Sequence, residues 1–255
     1  MPVELTLSAK THGELNVYPI EFARHFGVRA FVTGRSGGVS PAPYESLNLG
    51  DHVDDDPTSV LENRRRVAEA IGVDTNRLII ISQVHGRDVV NANQATAASS
   101  GDVIIDYGDG FAVAMLVADC LPILLVDEDS LTLAVVHAGW RGLENNVLES
   151  ALENFEHHDA VHAFLGPCIS AASYQVGPEV AEHFTTVPGA VTPDTGDRSR
   201  LDLRCVAVAQ LLALKVTENH ITVASQSTDG GATFFSDRAA RPCGRFALVA
   251  RRVVA

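Results

Sequence analysis

Three side chains of this 255-residue sequence share a chemistry and a context: His85, Cys120 and His137. Each closes an apolar run, in Ile79-Ile80-Ile81-Ser82-Gln83-Val84-His85, Leu116-Val117-Ala118-Asp119-Cys120 and Leu133-Ala134-Val135-Val136-His137. A strand end fixes a side chain against the core yet leaves it reachable, which is what a catalytic group requires. Two imidazoles and one thiolate are an ordinary Zn²⁺ ligand set, and three protein ligands leave a fourth position for water or substrate. Cu²⁺ is the competing ion at such nitrogen and sulfur ligands. Other roles fit the same residues. A lone Cys after an apolar run is commonly a small buried hydrophobe, and a strand-end imidazole can bond to nearby main chain. The separations follow no local zinc-finger rule, so spacing alone does not bring the three together.

Two glycine and arginine segments add anion chemistry. In Thr33-Gly34-Arg35-Ser36-Gly37-Gly38 the glycines can expose N–H groups and Arg35 can fork onto a phosphate or carboxylate. The same pattern also suits a plain turn with a solvated Arg. Gly139-Trp140-Arg141-Gly142 leads from a strand into a helix whose N-terminus could face an anion. Alternatively, the single Trp simply packs in the core.

The elements that must position these groups are read from periodicity and caps. Asp56-Pro57 starts a helix over 57–71, with Val60, Leu61, Val67, Ala68 and Ile71 as its apolar face and Gly72 as its stop. A second helix begins after Gly142 and runs through Leu148 and Leu152, a third follows Pro178, and a fourth starts from Asp202. Core strands are expected at 111–118, 123–126 and 131–136, the last two joined by the polar turn Asp127-Glu128-Asp129-Ser130 as an antiparallel pair. Further strands are expected at 30–33, 78–83, 163–165, 221–224 and 246–253, and 187–200 is read as a loop. The fold class is α/β: a single mixed α+β domain over 1–255, with a largely antiparallel or mixed sheet and flanking helices.

Composition narrows the function classes. Apolar residues make up 46% and charged residues 20%, enough for a sizeable core. A formal net charge of −13 opposes neutralising a nucleic-acid backbone, so no nucleic-acid partner is expected, though a local Arg can still hold a small phosphate. No apolar run reaches a membrane-spanning length and no secretory leader pattern opens the sequence. The four cysteines, Cys120, Cys168, Cys205 and Cys243, form no C-x-x-C pair and are read as reduced thiols of a cytoplasmic protein. No pattern specifies an oligomeric state.

Taken in order, the motifs resemble the YfiH family, also called laccase-like polyphenol oxidoreductases, purine nucleoside phosphorylases or peptidoglycan editing factors. They are Arg35-Ser-Gly-Gly-Val-Ser40, Pro43-Tyr-Glu-Ser-Leu-Asn-Leu-Gly50, Asn63-Arg64, Gln83-Val-His-Gly86, Ala118-Asp-Cys-Leu-Pro122 and His137-Ala-Gly-Trp-Arg-Gly142. Gly166-Pro-Cys-Ile169, Tyr174-Gln-Val-Gly177, Phe235-Ser236 and Gly244-Arg245 extend the likeness over nearly the whole chain. The resemblance implies that His85, Cys120 and His137 ligate the family's metal, that Arg35 contacts substrate or phosphate, and that Cys120 and Arg35 are the catalytic candidates. It implies phosphorolysis of adenosine, inosine, guanosine and methylthioadenosine, together with adenosine deamination. The alternatives are hydrolytic editing of wrongly built peptidoglycan precursors and copper-dependent polyphenol oxidation. The sequence departs from the family at Ser227-Thr228 and at Ser236-Asp237-Arg238-Ala239.

The expected partners are a purine nucleoside and phosphate, and the expected cofactor is Zn²⁺. Phosphorolysis needs an anion holder, for which Arg35 with Gly37-Gly38 is the candidate, and a donor to the departing base, for which Asp119 is. A multicopper oxidase would need paired H-x-H motifs, of which the sequence has none.

Overall fold

The central apolar runs are strands buried on both faces, which is why they are continuous rather than alternating. The computed structural model describes residues 1–253, so the last two positions of the expected 1–255 domain lie outside the described residues. The chain opens with β1 (Val3–Leu5), β2 (Lys10–His12), β3 (Leu15–Pro19) and β4 (Val28–Thr33), followed by helix α1 (Pro57–Ile71). Next come β5 (Leu78–Ile79), β6 (Val89–Asn91), β7 (Val103–Asp106), β8 (Ala112–Val117), β9 (Leu121–Asp127) and β10 (Leu133–Ala138). Helices α2 (Trp140–Glu144) and α3 (Val147–Leu152) lead to β11 (Val161–Leu165), β12 (Gln175–Val176) and α4 (Pro178–Ala181). Strands β13 (Val191–Pro193) and β14 (Ser199–Leu201) precede α5 (Leu203–Ala213), β15 (Ile221–Ala224) and β16 (Phe246–Arg252).

A seven-stranded sheet has the order β1-β15-β11-β9-β10-β7-β6, and a six-stranded sheet the order β2-β3-β4-β16-β8-β5. The first is mixed: β1, β15 and β11 run parallel, as do β6 and β7, while β11-β9-β10-β7 is antiparallel. The second is antiparallel except where β5 lies parallel to β8. Alternate residues sort the layers. Leu124 and Val126 of β9 pack with Val113 and Met115 of β8 and Phe246 and Leu248 of β16 in a core between the sheets. Leu121, Ile123 and Leu125 face the opposite way, onto α2, α3 and α5 through Leu143, Leu148 and Val206. Ala114, Leu116 and Val249 face α1 through Val67 and Ile71. The result is a single mixed domain in which two face-to-face sheets are covered by helices on both outer faces. Among the described residues no helix is long and apolar enough to cross a membrane.

Helix α1 spans the expected residues. The Asp56 carboxylate accepts from Ser59 N–H at 2.9 Å, and Gly72 closes the helix in a left-handed conformation. Its buried face differs at one turn: Leu61 is exposed, while Asn63 is fully buried. The Asn63 side chain donates to Ser40 Oγ and to the Ser46 and Asn48 carbonyls and accepts from Val39 N–H, so it ties down the 38–48 loop. The expected second helix starts earlier, at Trp140, and breaks into α2 and α3 where Asn146 adopts a left-handed φ of 59°. The expected 187–200 loop contains the β13–β14 hairpin, braced by Arg200 Nε 2.7 Å from Asp194. The expected 78–83 strand ends at Ile79. Beyond it the Gln83 side chain donates to Leu116 O at 2.7 Å and accepts from Leu116 N–H at 3.0 Å, standing in for a strand partner of β8.

Candidate metal centre

Strand register brings the centre together. In the β9–β10 pair Ala138 lies opposite Leu121, so Cys120, just before β9, meets Gly139, just after β10. In the β10–β7 pair Val136 lies opposite Val103, which sets Asp102 beside His137, and His137 N–H donates to Asp102 O at 2.8 Å. His85 arrives from the 80–88 loop rather than from a strand end. It holds φ at 58°, uncommon for a non-glycine residue.

Asp102 anchors both histidines. Its carboxylate is fully buried and accepts from Val84, His85 and Gly86 N–H at 3.3, 3.0 and 2.6 Å, which fixes the loop that carries His85. It also takes the proton of His137 Nδ1 at 2.7 Å, leaving His137 Nε2 as that ring's ligating atom. Burial alone would raise the Asp102 carboxyl, but the His137 and Gly86 bonds more than offset this and hold it below its ordinary value. No feature of residue type marked Asp102. It stands at the head of the Val103-Ile104-Ile105 run, whereas the ligands were marked by closing theirs.

The ligating atoms of His85, Cys120 and His137 all lie within 4.8 Å of one another, and the two imidazole rings are 4.7 Å apart at 64°. Burial would push the Cys120 thiol up, but His137 and then His85 outweigh it and bring it down to about 6. Burial likewise opposes a charged His137, yet the Cys120 thiolate and Asp102 raise it to about 9. A thiolate at neutral pH, an imidazole nitrogen freed by its neighbour's commitment to Asp102, and a second, exposed imidazole suit a borderline divalent cation. Gly139 makes the close approach practicable, since a β-carbon there would stand 3.1 Å from Cys120 Sγ and 3.2 Å from His85 Nδ1.

These ligands line a cleft of about 720 Å³ at the ends of β8, β9 and β10. Arg64, Arg141, Arg238, Arg241 and Arg245 line it, against the carboxylates of Asp51, Asp119 and Asp237, so the guanidinium groups are in surplus within an acidic chain. Arg141 stacks over Trp140 at 4.3 Å. Arg238 lies over Tyr174 at 5.5 Å and donates to Gln175 O. Arg245 Nη2 is 3.6 Å from Asp237 and Arg64 Nη2 is 3.1 Å from Asp51. Burial raises Tyr174 above the ordinary phenol range, so it keeps its proton.

Arg35 does not line this cleft. Its Nε donates to Glu45 O at 3.1 Å and its Nη1 to Gly231 O at 2.5 Å, with the guanidinium 4.7 Å over the Phe235 ring. The N–H groups of Gly37 and Gly38 are taken by Ser46 Oγ at 3.0 and 3.1 Å. The expected anion cradle therefore lies outside the cleft as a loop tether, with Arg35 Nε, Arg35 Nη1 and both glycine N–H groups bonded within the chain. Asp119 also differs from expectation: its carboxylate accepts from Thr228 Oγ1 at 2.5 Å and from Arg238 N–H at 2.7 Å, so it ties together the two segments where the sequence departs from the family. The arginines that do line the cleft come from separated segments; Arg141 lies in the second glycine and arginine segment, and Arg64 and Arg245 stand in the motifs Asn63-Arg64 and Gly244-Arg245.

Residues 29–252 match the family described as "Multi-copper polyphenol oxidoreductase laccase". The chain is 39% identical over 226 residues to a Pseudomonas aeruginosa protein named a purine nucleoside phosphorylase, covering 86% of this chain and 91% of that one. It is 35% identical over 226 residues to Purine nucleoside phosphorylase YfiH of Escherichia coli K12, covering 87% and 92%. Its fold superposes on crystalline YlmD from Geobacillus stearothermophilus with a TM-score of 0.86 at 29% identity, over 96% of this chain and 99% of that one. With this likeness running through the ligand strands and both sheets, the chain belongs to the YfiH, or laccase-like polyphenol oxidoreductase, family.

Proposed function

We propose that the chain is a metal-dependent enzyme that cleaves purine nucleosides with phosphate as the attacking group. The observation that carries this reading is the His85, Cys120 and His137 cluster within 4.8 Å on the wall of an arginine-rich cleft. The residues fit a divalent metal of the Zn²⁺ kind held by those three side chains; when bound, it supplies Lewis-acid polarisation of a substrate oxygen. Relatives named purine nucleoside phosphorylases support nucleoside and phosphate as substrates. The range of adenosine, inosine, guanosine and methylthioadenosine is part of the proposal, as is deamination of adenosine with water in place of phosphate. A cytoplasmic location belongs to it too, since Cys120 must remain a reduced thiolate and all four cysteines are free.

The chain's own groups divide the work. Arg141, exposed and without a carboxylate within ion-pair distance among the described residues, is the guanidinium free to take phosphate, with Arg64 and Arg245 beside Asp51 and Asp237 supporting the positive field. Tyr174 and Trp140 line the cleft where a purine would sit, each with a guanidinium, Arg238 and Arg141, over one face. The protonated Tyr174 phenol takes over the donor role considered for Asp119. Cys120 serves as a ligand and not as the attacking group. The oxidase alternative lacks a ligand set: among the described residues, the metal-competent groups are two sets of three, too few for a trinuclear copper cluster.

The test is product identification after incubating adenosine or inosine with zinc-loaded, copper-free protein, with and without phosphate. Free base plus ribose-1-phosphate only when phosphate is present is the expected result, and inosine from adenosine without phosphate marks the deaminase arm. Turnover of a peptidoglycan precursor without phosphate, and none of nucleosides, would overturn the reading in favour of the hydrolase. Absence of nucleoside products above a Cys120→Ala control, with phenol oxidation by copper-loaded protein, would overturn it in favour of the oxidase.

A further inference from the structure

The residues Ala118-Asp119-Cys120 carry the chain from β8 in the six-stranded sheet to β9 in the seven-stranded one, and the last of them belongs to the metal-competent cluster. The middle residue holds φ at 90°, the largest positive φ of any non-glycine residue among the described residues. Glycine is the ordinary occupant of such backbone, and Asp and Asn are among the few side chains that tolerate it. A residue kept in this region is held there by its surroundings, and such positions gather at functional sites. This one directly precedes the Cys120 thiolate.

Three separate segments hold Asp119. Its carbonyl accepts from Ile169 N–H at 3.0 Å, one carboxylate oxygen from Thr228 Oγ1 at 2.5 Å, and the other from Arg238 N–H at 2.7 Å. Thr228 is buried and its own N–H donates to Cys168 O at 3.0 Å, so that tether is anchored in the core. Both sides of the junction depend on it. On one side, Cys120 brings Sγ beside His85 and His137 in a space so narrow that a β-carbon on Gly139 would stand 3.1 Å from it. A small swing of the 118–120 backbone therefore takes the thiolate out of the cluster. On the other side, the Arg238 main chain hangs from Asp119 while its guanidinium donates to the Ser173 and Gln175 carbonyls and lies over Tyr174. Glycine at 119 would supply the backbone conformation without the tether; the carboxylate supplies the tether.

We infer that Asp119 is a positioning residue: its carboxylate sets Cys120 Sγ against the two histidines and holds the Arg238–Tyr174 wall of the cleft in the same frame. A ligand's supporting bonds fix its direction, and metal affinity depends on that direction. Asp119 acts by geometry, with both oxygens occupied as acceptors, and transfers no proton. Asparagine can then replace it, because the amide oxygen accepts from Arg238 N–H while the amide NH2 donates to a Thr228 hydroxyl that has reversed its role. The inference rests on the metal centre proposed above, and the experiment separates the failure of one from the failure of the other.

Full-length wild-type, Asp119→Gly, Asp119→Asn and Thr228→Val proteins are prepared metal-free. Each is titrated with Zn²⁺ against a chelator and with Co²⁺ by absorption, and the metal-free Tm is recorded. Asp119→Gly should lose zinc affinity by about tenfold or more and shift or weaken the sulfur-to-cobalt charge-transfer band. Thr228→Val should show the same change to a smaller degree, and Asp119→Asn should stay within about threefold of wild type with its band in place. A residue that only stabilises the fold would lower Tm and leave affinity and band alone. Wild-type affinity and band in folded Asp119→Gly, or in Thr228→Val should the glycine variant not fold, would therefore overturn the inference. So would an Asp119→Asn variant as impaired as Asp119→Gly, because charge and not tethering would then govern. Absence of zinc binding by the wild-type protein would overturn the metal centre itself, and the inference with it.

Discussion

At Cys120 and His137 one proton decides the state of the metal-free protein. The thiol is brought down to about 6 and the imidazole raised to about 9, so the pair is a thiolate and an imidazolium at neutral pH. For Cys120, whose folded value is depressed, the stabilisation is complete above the ordinary thiol value and is lost as pH falls through about 6. For His137, whose folded value is raised, it is complete below the ordinary imidazole value and is lost as pH rises through about 9. The Tm of metal-free protein should therefore be highest between about 6 and 9, and Cys120→Ser should flatten both shoulders. A thiol reagent at pH 7 should label Cys120 first, since burial pushes Cys168 up to about 12, and prior zinc loading should protect it. Mass spectrometry of the labelled peptides checks this; equal labelling of Cys168 would refute the assignment. Asp102→Asn replaces an acceptor of three N–H groups and a His137 proton with an amide that accepts on one side only. Metal affinity should fall by about 10–100-fold, read by competition with a chelator. The ligand types were legible in the sequence, but Asp102 was not, because a buried carboxylate is defined by what bonds to it.

Elements were legible where their signals are local. The 57–71 helix has its cap, its proline and its glycine stop within the segment and matches the structure, and the two apolar runs flanking the expected 127–130 turn pair antiparallel as expected, with the turn itself at 128–132. Signals that depend on another segment were not legible. Nothing near Gln83 says that its side chain will pair with the Leu116 backbone and end β5 early. Nothing near Arg35 says that the carbonyls of Glu45 and Gly231, the latter nearly two hundred residues on, will take its donors. The β10–α2 junction supplies a test at this scale. Gly139 has φ −76° and ψ 170°, extended backbone that alanine adopts without strain. Gly139→Ala should therefore fold normally while its β-carbon crowds Cys120 Sγ and His85 Nδ1. The metal-free Tm should change little, and zinc affinity should fall by about tenfold or more. A variant with wild-type affinity would show that the ligands do not close up around the ion as proposed.

For the whole molecule, the expectation of one sheet became two large face-to-face sheets and a small three-stranded one, β12-β14-β13, because apolar runs report burial and do not count the layers that bury them. A core sandwiched between two sheets and backed by helices does not depend on an ion, so chelated protein should keep its far-ultraviolet circular dichroism while losing nucleoside cleavage. The charge distribution supports one more prediction. The chain carries −13 overall, which repels phosphate at long range, while five guanidiniums facing three carboxylates in the cleft attract it at short range. At about 0.1 M salt the screening length is about 10 Å, so charges spread over the surface are already damped and the cleft field governs binding. Raising the salt concentration further should then weaken the remaining attraction and raise the KM for phosphate, leaving the KM for an uncharged nucleoside unchanged. Steady-state kinetics over a salt series in a non-competing anion checks the sign. A phosphate KM that fell with added salt would mean that the acidic exterior, and not the arginine cleft, controls access.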